Sequence, residues 1–235
     1  MFWFTLFFII SLIALWAFIK IAVTGEDLSQ YDTPVEPLFY DKPASPPHFE
    51  LEKQFTNVDP AFAKLSKQQQ LLAMRKTMDK AGLRGTTTAS FISADAAPVE
   101  GEWVMTEDAD PDKRLLYIHG GGFMMGSPQS HRIITSKLAE ISGAAVFAVN
   151  YRKIPENARL DCIEDCQDIY RWLLENGPQV EQPVRQLIIA GDSAGANLAL
   201  SLLAWIRENQ LPAPAAAIAL SPTTDSTLSS PSIIK

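Results

Sequence analysis

The stretch Leu187-Ile188-Ile189-Ala190-Gly191-Asp192-Ser193-Ala194-Gly195 runs from an apolar, strand-like segment into residues 194–209, which are helical in pattern. A G-x-S-x-G quintet alone is common by chance. One that ends a buried strand and opens a helix is a nucleophile elbow. The turn there is so sharp that only glycine fits on either side, and the serine hydroxyl is pushed out at the top of the sheet. Ser193 is therefore the expected catalytic nucleophile. Upstream, His119-Gly120-Gly121-Gly122 directly follows a second strand-like run, Leu115-Leu116-Tyr117-Ile118. Bare glycine backbone can turn its N–H groups toward one point, as acyl transfer requires to hold a developing oxyanion.

The same alternation extends in both directions from these two turns. Strands are expected at 91–92, 103–105, 114–118, 144–150, 187–190 and 215–220, and helices at 130–141, 161–175 and 194–209. Continuous apolar strands separated by amphipathic helices imply an α/β protein whose mostly parallel sheet is covered on both faces. Ahead of them, residues 59–81 place Phe62, Leu65, Leu72, Ala73 and Met78 among Lys and Gln, an amphipathic helical pattern with Gly82 as its C-cap.

Composition narrows the function. Hydrophobic residues make up 47% and charged residues 20% of 235, enough for one or two domains with a sizeable core. The net charge of −7 comes with no cluster of Lys and Arg, which argues against nucleic acid as a partner. The two cysteines, Cys162 and Cys166, lie four apart on an expected helix and read as small buried residues. Glu164, Asp165 and Asp168 read as a solvated or salt-bridged helix face, because no histidine lies close enough in sequence to complete a metal site. No cofactor is implied. The glycine run also fails as a phosphate loop. A dinucleotide fingerprint from Gly120 needs glycine where Met125 stands, and a Walker loop from Gly121 meets Ser127 and Pro128 in place of lysine.

Residues 1–19 carry no charge and are dominated by Phe, Ile, Leu and Trp, ending at Lys20. About 20 apolar residues at 1.5 Å rise match a ~30 Å hydrocarbon core, so this segment is expected to be a single-pass membrane anchor. A cleaved signal peptide fits less well, since no basic residue precedes the run and no small-x-small site follows it. Which side of the membrane the rest would face stays open. Residues 26–49 hold Pro34, Pro37, Pro43, Pro46 and Pro47, which favours an extended spacer in which His48 is a solvated linker residue.

Residues 57–225 resemble the hormone-sensitive-lipase-like branch of the α/β-hydrolases, a family of serine carboxylesterases and lipases. The specific part of the likeness is the pair His119-Gly120-Gly121-Gly122 and Gly191-Asp192-Ser193-Ala194-Gly195. Supporting parts are Asn57-Val58-Asp59-Pro60, Ser127 through His131-Arg132, Asn150-Tyr151-Arg152 with Pro155-Glu156, Glu164-Asp165, Arg171-Trp172-Leu173, and Ser221-Pro222 with Asp225. The resemblance implies an α/β-hydrolase fold with a helical cap begun by residues 51–84, and ester substrates that are small molecules or lipids. It implies an oxyanion hole from the backbone N–H groups of Gly121, Gly122 and Ala194, with His119 bracing the glycine loop. His131, at a helix start, reads as holding the loop after the glycines.

The resemblance breaks at one point. In that family the triad acid and then the histidine follow the serine, yet His48, His119 and His131 all precede Ser193. Asp225 follows it, but by likeness belongs to a motif just after the sixth strand. The expected organisation is thus an anchor at 1–23, a proline-rich linker at 24–50, a cap segment at 51–84, and at 85–235 a hydrolase domain truncated before its last strands. The alternative is a non-catalytic, membrane-anchored binding protein built on a hydrolase scaffold.

Overall fold

The computed structural model describes residues 2–23, 46, 60–82 and 87–224, and separates into two compact units, 1–58 and 59–235. The proline-rich linker other than Pro46, His48, Asp225 and the tail 226–235 lie outside the described residues.

In the first unit, α1 (Phe2–Val23) is helical and contains no Gly or Pro to interrupt it. The structure describes its side chains at residue 4 and at 7–18. Among the described residues no helix is long and apolar enough to cross a membrane. The expected transmembrane anchor, the membrane localisation and the membrane as a partner are corrected accordingly.

The second unit opens with α2 (Pro60–Ala63) and α3 (Lys67–Gly82). The amphipathic stretch over 59–81 forms two helices. Ser66 and Gln69 form a reciprocal cap, the Ser66 N–H donating to Gln69 Oε1 at 3.0 Å and the Gln69 N–H to Ser66 Oγ at 3.3 Å, so a new helix starts there. The sheet contains β1 (Ser90–Ser93), β2 (Gly101–Met105), β3 (Asp110–Ile118), β4 (Ala144–Val149), β5 (Gln186–Asp192) and β6 (Ala216–Leu220) in the order β1-β2-β4-β3-β5-β6. The pairs β4–β3, β3–β5 and β5–β6 are parallel, whereas β1–β2 and β2–β4 are antiparallel. The sheet is therefore mixed, parallel in three of its five pairings, as a mostly parallel sheet allows. The short link 94–100 suits an antiparallel pair but cannot supply the crossover that a parallel pair needs.

Helices cover both faces. Against Leu116, Ile118, Phe147 and Ile189 pack α5 (Arg159–Glu175) and α6 (Ala194–Glu208), through Ile169, Leu173, Leu198 and Leu202. Against Leu115, Tyr117, Val146 and Ala190 packs α4 (Arg132–Ser142), through Ile134, Leu138 and Ala139. The swap of face between residues 115 and 116 is the period-2 alternation of a strand. Among the described residues β6 is an edge strand, and Ala216, Ala217, Ala219 and Leu220 on it are exposed. Cys162 and Cys166 are free and buried under the sheet, and the acidic residues of α5 pair with arginines, Asp165 and Glu164 with Arg152 and Asp168 with Arg171.

Candidate active site

Two adjacent parallel strands set the site. In the register of β3 with β5, Ile118 lies opposite Gly191, so both chains leave the sheet side by side at their C-terminal ends. From β3 emerges His119-Gly120-Gly121-Gly122, and from β5 emerges Asp192-Ser193. Ligand sites of open α/β sheets form at this end, where loops converge and helix N-termini point their N–H groups outward.

Ser193 sits at φ 50°, ψ −116°, a conformation that a non-glycine residue adopts at a cost of about 1–3 kcal/mol. Its neighbours leave no alternative path. A β-carbon on Gly191 would lie 2.6 Å from Gly195 O, and one on Gly195 would lie 2.0 Å from Ile118 O. The turn is further held by the Ser193 N–H donating to Leu220 O at 2.9 Å and by the Asn197 Nδ2–H donating to Thr223 O at 2.7 Å. The segment after β6 is thereby tied to the elbow. Ala194, buried at the first position of α6, presents one of the N–H groups that a helix start leaves without an intrahelical partner.

The glycine loop turns back on itself. Gly121 lies at φ 119°, and a β-carbon there would be 2.3 Å from Met125 O. Gly122 and Phe123 follow, both at φ 62°. The N–H groups of Met124 and Met125 close the turn on Gly121 O at 3.1 and 2.8 Å.

Asp192 joins loop and elbow. Its Oδ1 accepts from the Gly120 N–H at 2.9 Å and from the Tyr117 hydroxyl at 2.7 Å, with His131 Nε2 at 3.4 Å. Burial pushes the Asp192 carboxyl up, but the hydrogen bonds from His131 and Tyr117 outweigh it and hold the group below its ordinary value. Burial, with Asp192 beside it, pushes the Tyr117 phenol far up, so the phenol stays a donor.

His119 is fully buried between two rings, stacked at 4.3 Å on Tyr151 and at 5.5 Å on His131. Its Nδ1 lies 2.8 Å from Gly120 O, an atom that only accepts, so Nδ1 carries the proton. The Tyr151 hydroxyl donates to His119 O at 2.8 Å. Burial brings the His119 imidazole down to about 3, leaving it neutral at physiological pH. His131, at the turn into α4, contacts Ser130 Oγ at 2.8 Å through Nδ1.

Residues 115–234 match the family model described as alpha/beta hydrolase fold, which is half of the chain. The chain belongs to the α/β-hydrolase family, in its hormone-sensitive-lipase-like branch. An acetyl-hydrolase of Streptomyces hygroscopicus is 45% identical to this α/β-hydrolase over 124 residues, covering 53% of this chain and 40% of the relative. The crystal structure of an esterase/lipase from an uncultured bacterium superposes with a TM-score of 0.68 at 34% identity, covering 80% of this chain and 62% of that one. An esterase from the bacterial hormone-sensitive lipase family superposes at 0.66 with 28% identity, covering 80% and 61%. The chain thus spans 40% of that relative and just under two thirds of these two structures.

Of the residues singled out in sequence, the fold brings Ser193, Ala194, His119, Gly121 and Gly122 to one end of the sheet. Sequence reasoning missed the side chains that lock them. Asp192 stands inside the quintet, but its partners Gly120 and Tyr117 lie 72 and 75 residues away. Arg159 went unnoticed as well: its guanidinium stacks 3.7 Å over the Phe123 ring and donates to Asn197 Oδ1 at 3.0 Å. Arg75, described below, is a third.

Proposed function

We propose that this chain carries the nucleophile and oxyanion hole of a serine carboxylic-ester hydrolase. The observation that carries the reading is Ser193 held at φ 50°, ψ −116° between two glycines that tolerate no side chain. A scaffold with no catalytic demand has no reason to retain such strain.

Ser193 Oγ attacks the ester carbonyl, and the tetrahedral oxyanion is met by the N–H groups of Gly121, Gly122 and Ala194. Each such donor is worth about 10²–10³ in rate. His119 braces the glycine loop; neutral, with Nδ1 engaged, it is too weakly basic to take the serine proton efficiently. A histidine base is still required, since an unactivated hydroxyl is a poor nucleophile, and no histidine of this chain follows Ser193. The relatives named as acetyl-hydrolase and esterase support small-molecule or lipid esters as substrates, acetyl esters among them.

A chimera tests this reading. The part of the Streptomyces acetyl-hydrolase that follows the matched region is joined to this chain, and p-nitrophenyl acetate turnover is measured. The enzyme reading predicts turnover in the chimera that falls by about 10³-fold or more in Ser193→Ala, and little in the chain alone. A folded chimera without turnover, or one indifferent to Ser193→Ala, contradicts it.

A further inference from the structure

Three successive residues, Gly121, Gly122 and Phe123, have positive φ, and Phe123 pays a steric cost for it. A loop in this conformation relaxes unless something outside it fixes its backbone. Helix α3 supplies that fixture at three points.

The first is Arg75. Its Nε–H donates to Met124 O at 2.7 Å, and an Nη2–H donates to Ile154 O at 3.3 Å. The Nη1 and Nη2 groups also grip Glu156 Oε1 and Oε2, each at 2.9 Å. The contacted segment itself holds the loop, since the Ile154 N–H donates to Phe123 O at 3.1 Å. One planar cation therefore joins both backbone carbonyls and the carboxylate in a single plane of donors, which an ammonium cannot reproduce. The second point is Asp79, which accepts a hydrogen bond from Ser127 Oγ just past the loop. The third is Gly82, where a β-carbon would lie 2.0 Å from Gln129 O, so helix end and turn meet backbone to backbone.

Arg75 is only 20% exposed, and its hydrogen bonds hold the Glu156 carboxyl down to about 2, so that carboxylate stays ionised across the working pH range. Nothing in this geometry contributes to the sheet core. All of it converges on residues 123–130 and 154–156.

We infer that Arg75 is a positioning residue for the oxyanion loop, and that α3 sets the aim of the Gly121 and Gly122 N–H groups through it. The inference deepens the esterase reading and rests on it for its catalytic meaning, but the clamp itself is testable without turnover. Hydrogen–deuterium exchange of peptides covering residues 120–126 is measured on the full chain, with Arg75→Ala, Arg75→Lys and the same-helix control Lys76→Ala. Loss of charge-assisted bonds predicts exchange faster by about tenfold or more in this peptide for Arg75→Ala. Arg75→Lys should remain close to Arg75→Ala, Lys76→Ala should match the parent, and millimolar methylguanidinium should slow the exchange of Arg75→Ala again. Unchanged loop exchange in Arg75→Ala overturns the inference. So does equal acceleration in β4 with no methylguanidinium rescue, which would make Arg75 a general stability residue. Failure of the chimera to turn over ester leaves this exchange result standing, so the two claims fail separately.

Discussion

Gly120 donates its backbone N–H to Asp192 Oδ1 across 2.9 Å, joining the first glycine of the loop to the residue before Ser193. The nucleophile and the donors proposed to meet its oxyanion are thus held in one hydrogen-bonded frame. Replacing Asp192 with Ala removes the acceptor for Gly120 and for Tyr117 together. In the chimera this should lower kcat by about 10²-fold, the scale of one misaimed oxyanion donor, with a smaller change in KM. A kcat within about twofold of the parent would show the frame to be dispensable.

Tyr117→Phe tests the same frame by stability. The hydroxyl donates to Asp192 at 2.7 Å from a fully buried ring. Its loss leaves the carboxylate short of a partner, at a cost of about 1–3 kcal/mol. Calorimetry should find Tm lower by several degrees, at about 2–4 °C per kcal/mol for a domain of this size. An unchanged Tm would mean that water replaces the phenol without penalty.

His119 should behave as a permanently neutral ring. Burial lowers its pKa from the ordinary 6.5 to about 3. A depressed histidine contributes stability that is complete above about 6.5 and declines as pH falls toward about 3, because the unfolded chain takes up the proton first. The His119 ring resonances, assigned with His119→Asn, should therefore hold their neutral shifts from pH 8 to 5. A titration midpoint near 6.5 would contradict the buried, loop-bracing placement.

Gly121→Val adds a β-branched side chain where even a β-carbon lies 2.3 Å from Met125 O and φ is 119°. The N–H must swing away from its aim. Ester turnover of the chimera should fall by about 10²-fold or more while the circular dichroism stays native. Equal turnover of p-nitrophenyl acetate by both proteins would remove Gly121 from the oxyanion hole.

Much of this was legible in the residues. The strand-to-helix context of Ser193 and the strand before His119 are local patterns, and the register of Ile118 with Gly191 follows once both strands are parallel neighbours. The antiparallel direction of the sheet edge was not legible, because β2 is placed by a partner, β4, that lies further along the chain. The anchor was read from apolar length alone, a signal that does not say how the segment is used. The clamps were invisible for another reason. Arg114, fully buried at the start of the apolar part of β3, donates to Leu173 O at 2.7 Å and Gln182 O at 2.8 Å. Like Arg75 with Met124, or Tyr117 with Asp192, it meets partners tens of residues away, and no short-range pattern encodes such a meeting.

Reaction of the chimera with a fluorophosphonate probe, mapped by peptide mass spectrometry, tests the central claim most directly. The account predicts a single modified site at Ser193, absent in Ser193→Ala, with ester turnover lost in step with labelling. A probe that modifies another residue while turnover persists, or turnover that survives complete labelling of Ser193, would contradict it.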